Sequence, residues 1–159
     1  MDMTLLTTAF VMARRGTCSR AQVGCVIALE GRILSTGYNG APTGMPHCSH
    51  PDGLRSNQRP ANAPQCETSV HAEANAVAFA ARYGVSLDAA VLYTTVTPCV
   101  TCAQLIVNAG IERVVCASVY RSTNGVELLL RAGVVVDLLT NQQHVVQTLT
   151  LDEQEDVLE

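Results

Sequence analysis

The hydrophobic and polar positions of the chain alternate between two periods. Leu5, Leu6, Ala9, Met12 and Ala13 recur at helical spacing, so an amphipathic helix is expected from about Thr4 to Arg15, stopped by Gly16. "QVGCVIAL" and "RILSTGY" are apolar and β-branched runs on either side of Glu30-Gly31, the pattern of a hairpin. "HAEANAVAFAARYG" is alanine-rich with Gly84 placed to end it, and reads as a helix. "AAVLYTTV" follows as a strand, and "PCVTCAQLIVNAG" as a helix with Pro98 suited to its first turn and Gly110 to its stop. "IERVVCASVY", "NGVELLLRAG" and "VVVDLL" complete the series as strand, helix and strand. One helix, two strands and three helix–strand units predict an α/β fold, a three-layer α/β/α sandwich with a mixed five-stranded sheet.

Two segments stand outside this rhythm. Residues 41–64 hold five prolines and little periodic hydrophobicity, so a long ordered loop is expected; such loops inside compact domains are usually functional or tied down. Residues 140–159 mix weak helical spacing with an acidic end, compatible with a C-terminal helix, a dimer arm or a frayed terminus. A chain of 159 residues can bury one core and is short for two, so residues 1–159 are read as a single domain.

Composition narrows the partners. With 48% hydrophobic and 15% charged residues the chain has ample material for a core. No run approaches the roughly 20 apolar residues that span a bilayer, and the N-terminal stretch lacks the basic start and cleavage site of a signal peptide. A cytoplasmic location without membrane contact is the expectation. The net charge is -4, and all ten cations are arginines, scattered and outnumbered by fourteen carboxylates. That balance argues against a nucleic-acid polymer, whose backbone calls for a clustered basic face, whereas one phosphate needs only one or two arginines.

Seven cysteines in a chain without an export signal make disulfides a poor default. Cys25 and Cys116 lie in apolar runs and read as small core residues. Cys99 and Cys102, at the start of one predicted helix, are three apart and can hold one ion; the positive end of the helix dipole favours their thiolate forms. His71, at the start of another helix, would make a third ligand and leave the fourth tetrahedral position to water, the arrangement of catalytic zinc. Glu73, two residues on, is placed to be the general base. As water adds to an amidine-like carbon, it can carry the proton to the ring nitrogen and then to departing ammonia. Either short motif alone is commonplace as a cap or a structural site; together on two helix starts they indicate hydrolytic deamination.

His-x-Glu followed by Pro-Cys-x-x-Cys is the signature of zinc deaminases, and the chain resembles the cytidine and deoxycytidylate deaminase superfamily. The likeness runs from Cys18 to about Leu139 and includes "CSRAQVGCVI", "GRILSTGYNGAPTGMPHC", "HAEANA", "TPCVTCAQLIVNAGI" and "VYRSTNGVELLLRAGV", segments specific to the nucleotide-level branch. The resemblance implies conversion of dCMP to dUMP for thymidylate synthesis, with His71, Cys99 and Cys102 on a catalytic Zn2+ and Glu73 shuttling protons. It assigns Asn39 to the deoxynucleoside, the backbone near Ala72 and Pro98 to the base, and Arg20, Tyr120 and Arg121 to phosphate or sugar. It also implies a homo-oligomer, hexamer or dimer, with dCTP and dTTP as possible allosteric effectors. Several relatives hold a second, structural zinc in the region of "MPHCSH". Cys18, Cys48 and Cys66 match its cysteines, with His50 the first choice for the fourth ligand and His47 the second. The rival readings are a deaminase of 5-substituted dCMP or of a free cytosine nucleoside, a polynucleotide deaminase, and an inactive, zinc-stapled nucleotide-binding regulatory protein.

Overall fold

A computed structural model describes residues 1–60, 62–140 and 145–150. The elements are α1 (Asp2–Ala13), β1 (Gly24–Leu29), β2 (Arg32–Tyr38), α2 (Ala72–Tyr83), β3 (Val91–Thr94), α3 (Val100–Asn108), β4 (Arg113–Cys116), α4 (Asn124–Arg131), β5 (Val135–Thr140) and β6 (Val145–Thr148), with a 3-10 turn at Ser56–Gln58 in the proline-rich segment. The strand order is β2-β1-β3-β4-β5-β6. β1 runs antiparallel to β2 and β3, the β3–β4–β5 block is parallel, and β6 is antiparallel to β5. The mixed sheet of an α/β/α sandwich is thus as expected, with a sixth strand beyond the five read from the pattern. That strand corrects the tail: Val145–Thr148 is extended rather than helical, as its β-branched residues favour. Residues 141–144 and 151–159, where the rest of the expected helix or arm falls, lie outside the described residues.

The turn between β1 and β2 has Glu30 at φ 50° and Gly31 at φ 78°, the doubly left-handed conformation whose twist matches a two-residue hairpin. Side chains then alternate across the sheet. Cys25, Ile27, Leu92, Val114, Cys116, Val136 and Leu138 face α2, α3 and α4, and form the larger core with Ala76, Ala103, Ile106 and Leu129. Val26, Ala28, Tyr93, Val115 and Leu139 face α1, which lays Leu5, Leu6 and Ala9 on them. The layers are therefore three helices, the sheet, and one helix. On the α1 side, Arg113 donates to Asp2 Oδ2 (2.8 Å) and Asp137 Oδ2 (2.7 Å), and Tyr93 Oη donates to Asp2 Oδ1 (2.9 Å), tying the helix start to β3, β4 and β5. No helix among the described residues is long and apolar enough to cross a membrane.

Two glycines set how closely the helices that carry the chemistry approach their supports. A Cβ at Gly37 of β2 would lie 2.1 Å from the Ala72 carbonyl oxygen and 2.7 Å from the Ala76 nitrogen, so the first turn of α2 rests directly on strand backbone. Ser35 Oγ donates to the Ala76 carbonyl (2.7 Å) and Asn75 Nδ2 to the Tyr38 carbonyl (3.0 Å), fixing the register of that contact. A Cβ at Gly125 would lie 2.1 Å from the Pro98 carbonyl oxygen, so α4 begins pressed against the start of α3. Because the Gly37 clash is with backbone, no rotamer change relieves it. Gly37→Ala is expected to cost about 1–3 kcal/mol, read as a lowered urea midpoint with an unchanged slope. A wild-type midpoint would show that α2 does not sit this close.

Candidate metal centre and its cleft

The two helices deliver their first residues to one point. His71 is the N-cap of α2 and Cys99 the N-cap of α3, both in extended backbone conformation, with Cys102 one turn into α3. His71 Nδ1 lies 3.4 Å from Cys99 Sγ and 3.5 Å from Cys102 Sγ, and the three ligand atoms fall within 4.8 Å of one another. Zinc–sulfur and zinc–nitrogen bonds at the tetrahedral angle place such atoms about 3.6 Å apart, so the donor set fits a zinc ion.

Glu73 is buried beside it, with Thr94 Oγ1 3.4 Å from its Oε1. Burial pushes the Glu73 carboxyl above its usual range, against the pull of its own backbone N–H and of His71. The Cys102 thiol holds Cys99 down at about 3, with burial opposing and His71 assisting. Cys102 in turn keeps its proton more tightly, because that sulfur lies beside it and because it is buried near Glu73. His71 is raised, chiefly by its bond to Cys99, against burial. Cys102 and Glu73 thus hold their protons in a dry place, while Cys99 beside them gives its own up readily. A dication favours the thiolate form of both sulfurs, and the chemistry of the donor set agrees with its geometry.

A cleft with about 630 Å³ of free space, its open mouth included, leads to this centre. Ala72, Glu73, His71 and Cys99 line it, together with Arg20, Asn39, Tyr120 and Arg121. Of the residues expected to meet a substrate, Pro98 alone is not among the lining residues; it is buried, with its carbonyl oxygen against Gly125. Asn39 is in the wall, but its amide is engaged: Oδ1 accepts from Val23 N (2.8 Å) and Nδ2 donates to the Ala21 carbonyl (2.8 Å). It clamps the loop that carries Arg20. Tyr120 N donates to Thr97 Oγ1 (2.8 Å), and the Arg121 guanidinium lies 5.3 Å from the Tyr120 ring centroid. Arg59, Ser56 and Gln65, from the proline-rich segment, also line the cleft. The pattern of the sequence carried no sign of them beyond the polar island "RSNQR", because that segment has no period from which to read a face.

Cys18, Cys48, His50 and Cys66 form a second cluster with ligand atoms within 4.8 Å of one another, and Cys18 Sγ lies 3.4 Å from His50 Nε2. His47 is exposed and outside it. Burial, then its neighbours Cys18 and Cys66, push Cys48 up to about 12. Burial raises Cys66, but the backbone N–H groups of Thr68 and Ser69, together with Cys48 and Cys18, hold it below its usual value. Four soft and borderline donors gathered this closely again fit zinc, here as a closed set.

A three-ligand metal centre with a buried carboxyl at its edge, on an α/β/α sandwich, defines a metal-dependent hydrolytic enzyme. Residues 1–118 match the family model for the cytidine and deoxycytidylate deaminase zinc-binding region. The chain is 33% identical to the deoxycytidylate deaminase of Enterobacteria phage T4, over 84% of this chain and 86% of that one. It is 41% identical to the deoxycytidylate deaminase of Mycobacterium phage D29, over 72% and 91%. A crystal structure of dCMP deaminase from the cyanophage S-TIM5, in complex with dCMP and dUMP, superposes with a TM-score of 0.74 at 31% identity, covering 84% of this chain and 93% of that one. The chain belongs to the cytidine and deoxycytidylate deaminase family.

The two amide bonds of Asn39 generate a prediction. Asn39→Ala leaves Val23 N and the Ala21 carbonyl without partners and should cost about 2–4 kcal/mol, taking both groups together. Urea unfolding measures it. A loss below about 0.5 kcal/mol, the size of an inconsequential surface change, would show that the clamp is not structural.

Proposed function

We propose that the protein is a zinc-dependent deaminase that hydrolyses dCMP to dUMP and ammonia, supplying dUMP for thymidylate synthesis. The observation that carries this is one cleft in which His71, Cys99, Cys102 and Glu73 converge and whose wall also carries Arg20 and Arg121. The Nε of each arginine is buried without a hydrogen-bond partner among the described residues. A free nucleoside would leave those groups unsatisfied, whereas the phosphate of a nucleotide offers them acceptors. This favours the monophosphate over the nucleoside.

Zinc held by His71, Cys99 and Cys102 supplies the Lewis acidity that makes water a nucleophile near neutral pH. The chain's own groups do the rest. Glu73 takes a proton from the attacking water as its oxygen bonds to C4 of the cytosine, and delivers that proton to N3. It then moves the hydroxyl proton to the exocyclic amine, the C4–N bond breaks, ammonia leaves and the C4 carbonyl forms. Burial raises the Glu73 carboxyl and so makes it a stronger base toward the attacking water than an exposed carboxylate would be. In this reading the backbone near Ala72 meets the base, Tyr120 lies toward the sugar, and Arg20 and Arg121 meet the phosphate.

Cys18, Cys48, His50 and Cys66 hold a second, structural zinc in this reading, tying a segment too rich in proline to be held by sheet or helix bonds. Cytoplasmic location, a homo-oligomeric state of two or six chains, and control by dCTP and dTTP complete the proposal on the strength of the family resemblance.

A panel of dCMP, CMP, deoxycytidine, 5-substituted dCMP and single-stranded DNA, with ammonia release measured, tests the assignment. dCMP should be the preferred substrate, and no turnover of any monophosphate by zinc-loaded protein would overturn it. Glu73→Gln should retain zinc and lose about 10²–10⁴-fold in kcat. Full metal loading gives two zinc ions per chain, falling to one in Cys48→Ser; a single ion in both proteins would reject the structural site.

A further inference from the structure

The proline-rich segment between β2 and α2 touches every arginine that lines the cleft. Arg20 donates through Nη2 to Asp52 Oδ2 (2.8 Å), and its carbonyl accepts the N–H of Ser56 (3.0 Å) at the start of the 3-10 turn. Arg121, from the far side of the cleft, donates to the carbonyls of Pro60 (3.4 Å) and Ala63 (2.7 Å). Arg59 belongs to the segment itself and donates to the Pro64 carbonyl (2.7 Å). Three guanidinium groups therefore owe their orientation to backbone and carboxylate groups of one stretch of chain. Apart from the turn at Ser56–Gln58, that stretch has no regular element between β2 and α2 among the described residues. Its two ends are gathered at Cys48, His50 and Cys66, which meet Cys18, two residues from Arg20.

The charge in the cleft is unbalanced. Arg20, Arg59 and Arg121 bring three permanent cations to a cleft whose one lining carboxyl is Glu73 at the metal centre, and Asp52, outside the lining, pairs with Arg20. The buried, unpartnered Nε atoms of Arg20 and Arg121 need an acceptor. A phosphate monoester brings up to two negative charges and three terminal oxygens, enough acceptors for all three side chains. Arg59 thus completes a socket whose other members come from loops on opposite walls. His71, Glu73, Cys99 and Cys102 do not depend on the segment in this way: they are seated by α2 and α3 on Gly37 and Gly125.

We propose that Arg59 is a specificity-determining residue for the 5′-phosphate, and that metal at the Cys18–Cys48–His50–Cys66 cluster sets nucleotide-over-nucleoside selectivity by holding the segment that orients Arg20, Arg59 and Arg121. This rests on the reading of the substrate as a nucleoside monophosphate. Loss of that metal frees the segment, disperses the socket, and leaves the deaminating centre standing on its own helices.

The test is calorimetric binding of dUMP and deoxyuridine to zinc-loaded wild type, Arg59→Ala and Cys48→Ser, with zinc counted in each and the kcat/KM ratio of dCMP to deoxycytidine measured alongside. Wild type should bind dUMP far tighter than deoxyuridine. Arg59→Ala should narrow that preference about 10- to 100-fold at unchanged zinc content, the loss of one charge-assisted phosphate contact. Cys48→Ser should lose one ion and narrow it at least as far. The proposal fails if Arg59→Ala keeps the preference, if Cys48→Ser loses its ion and keeps the preference, or if either variant weakens both ligands equally. Should Cys48→Ser not fold, His50→Ala and brief chelation of wild type carry the same expectations. Binding preference without any deamination would support the socket and sink the catalytic reading; deamination without phosphate preference would do the reverse.

Discussion

The close seating of two helix N-termini on backbone is the constraint from which the rest follows. α2 can bring His71 and Glu73 to the metal centre only because Gly37 lets its first turn lie on β2, and α3 presents Cys99 where Gly125 of α4 presses on Pro98. Neither contact involves a side chain that could adjust. The ligands inherit their precision from main chain, which is the stiffest part of a packed domain. The sheet contributes by holding β1 and β3 side by side, so that Thr94 lies beneath Glu73.

Electrostatics then selects what the centre can hold. Two thiols, an imidazole and a buried carboxyl are an expensive combination in a low-dielectric setting unless a cation is shared among them. The same burial that makes the group of donors demand a metal raises the pKa of Glu73 and so strengthens it as a base. At the cleft's wall the imbalance has the opposite sign, with Arg20, Arg59 and Arg121 set against Asp52 and the buried Glu73. A substrate that carries a neutral ring and an anionic tail answers both.

The regular elements and the metal donors were legible in the sequence because each has a local signal. Period and composition located the four helices and five strands, and Pro-Cys-x-x-Cys and His-x-Glu, each at a helix start, located the centre. β6 was missed because Val145–Thr148 is a short β-branched run in an otherwise polar tail, too brief to show a period. His50 and His47 could not be separated by spacing, since both flank Cys48 within a segment whose path is set by long-range contacts. Asn39 lines the cleft as its position after β2 suggests, but nothing local in the sequence reveals that its amide bridges Val23 and Ala21. Arg59 enters the cleft only because the segment folds back to Pro64 and across to Arg121.

Hydrolysis at C4 of a cytosine nucleotide, driven by water and Glu73 at a zinc centre as proposed, transfers the oxygen of water to the product. Turnover of dCMP in oxygen-18 water, followed by mass spectrometry of the nucleotide and assay of ammonia, tests it most directly. The expected product is dUMP carrying one oxygen-18 per molecule, with one ammonia released for each. Unlabelled dUMP, or dCMP recovered unchanged with zinc bound, would contradict it.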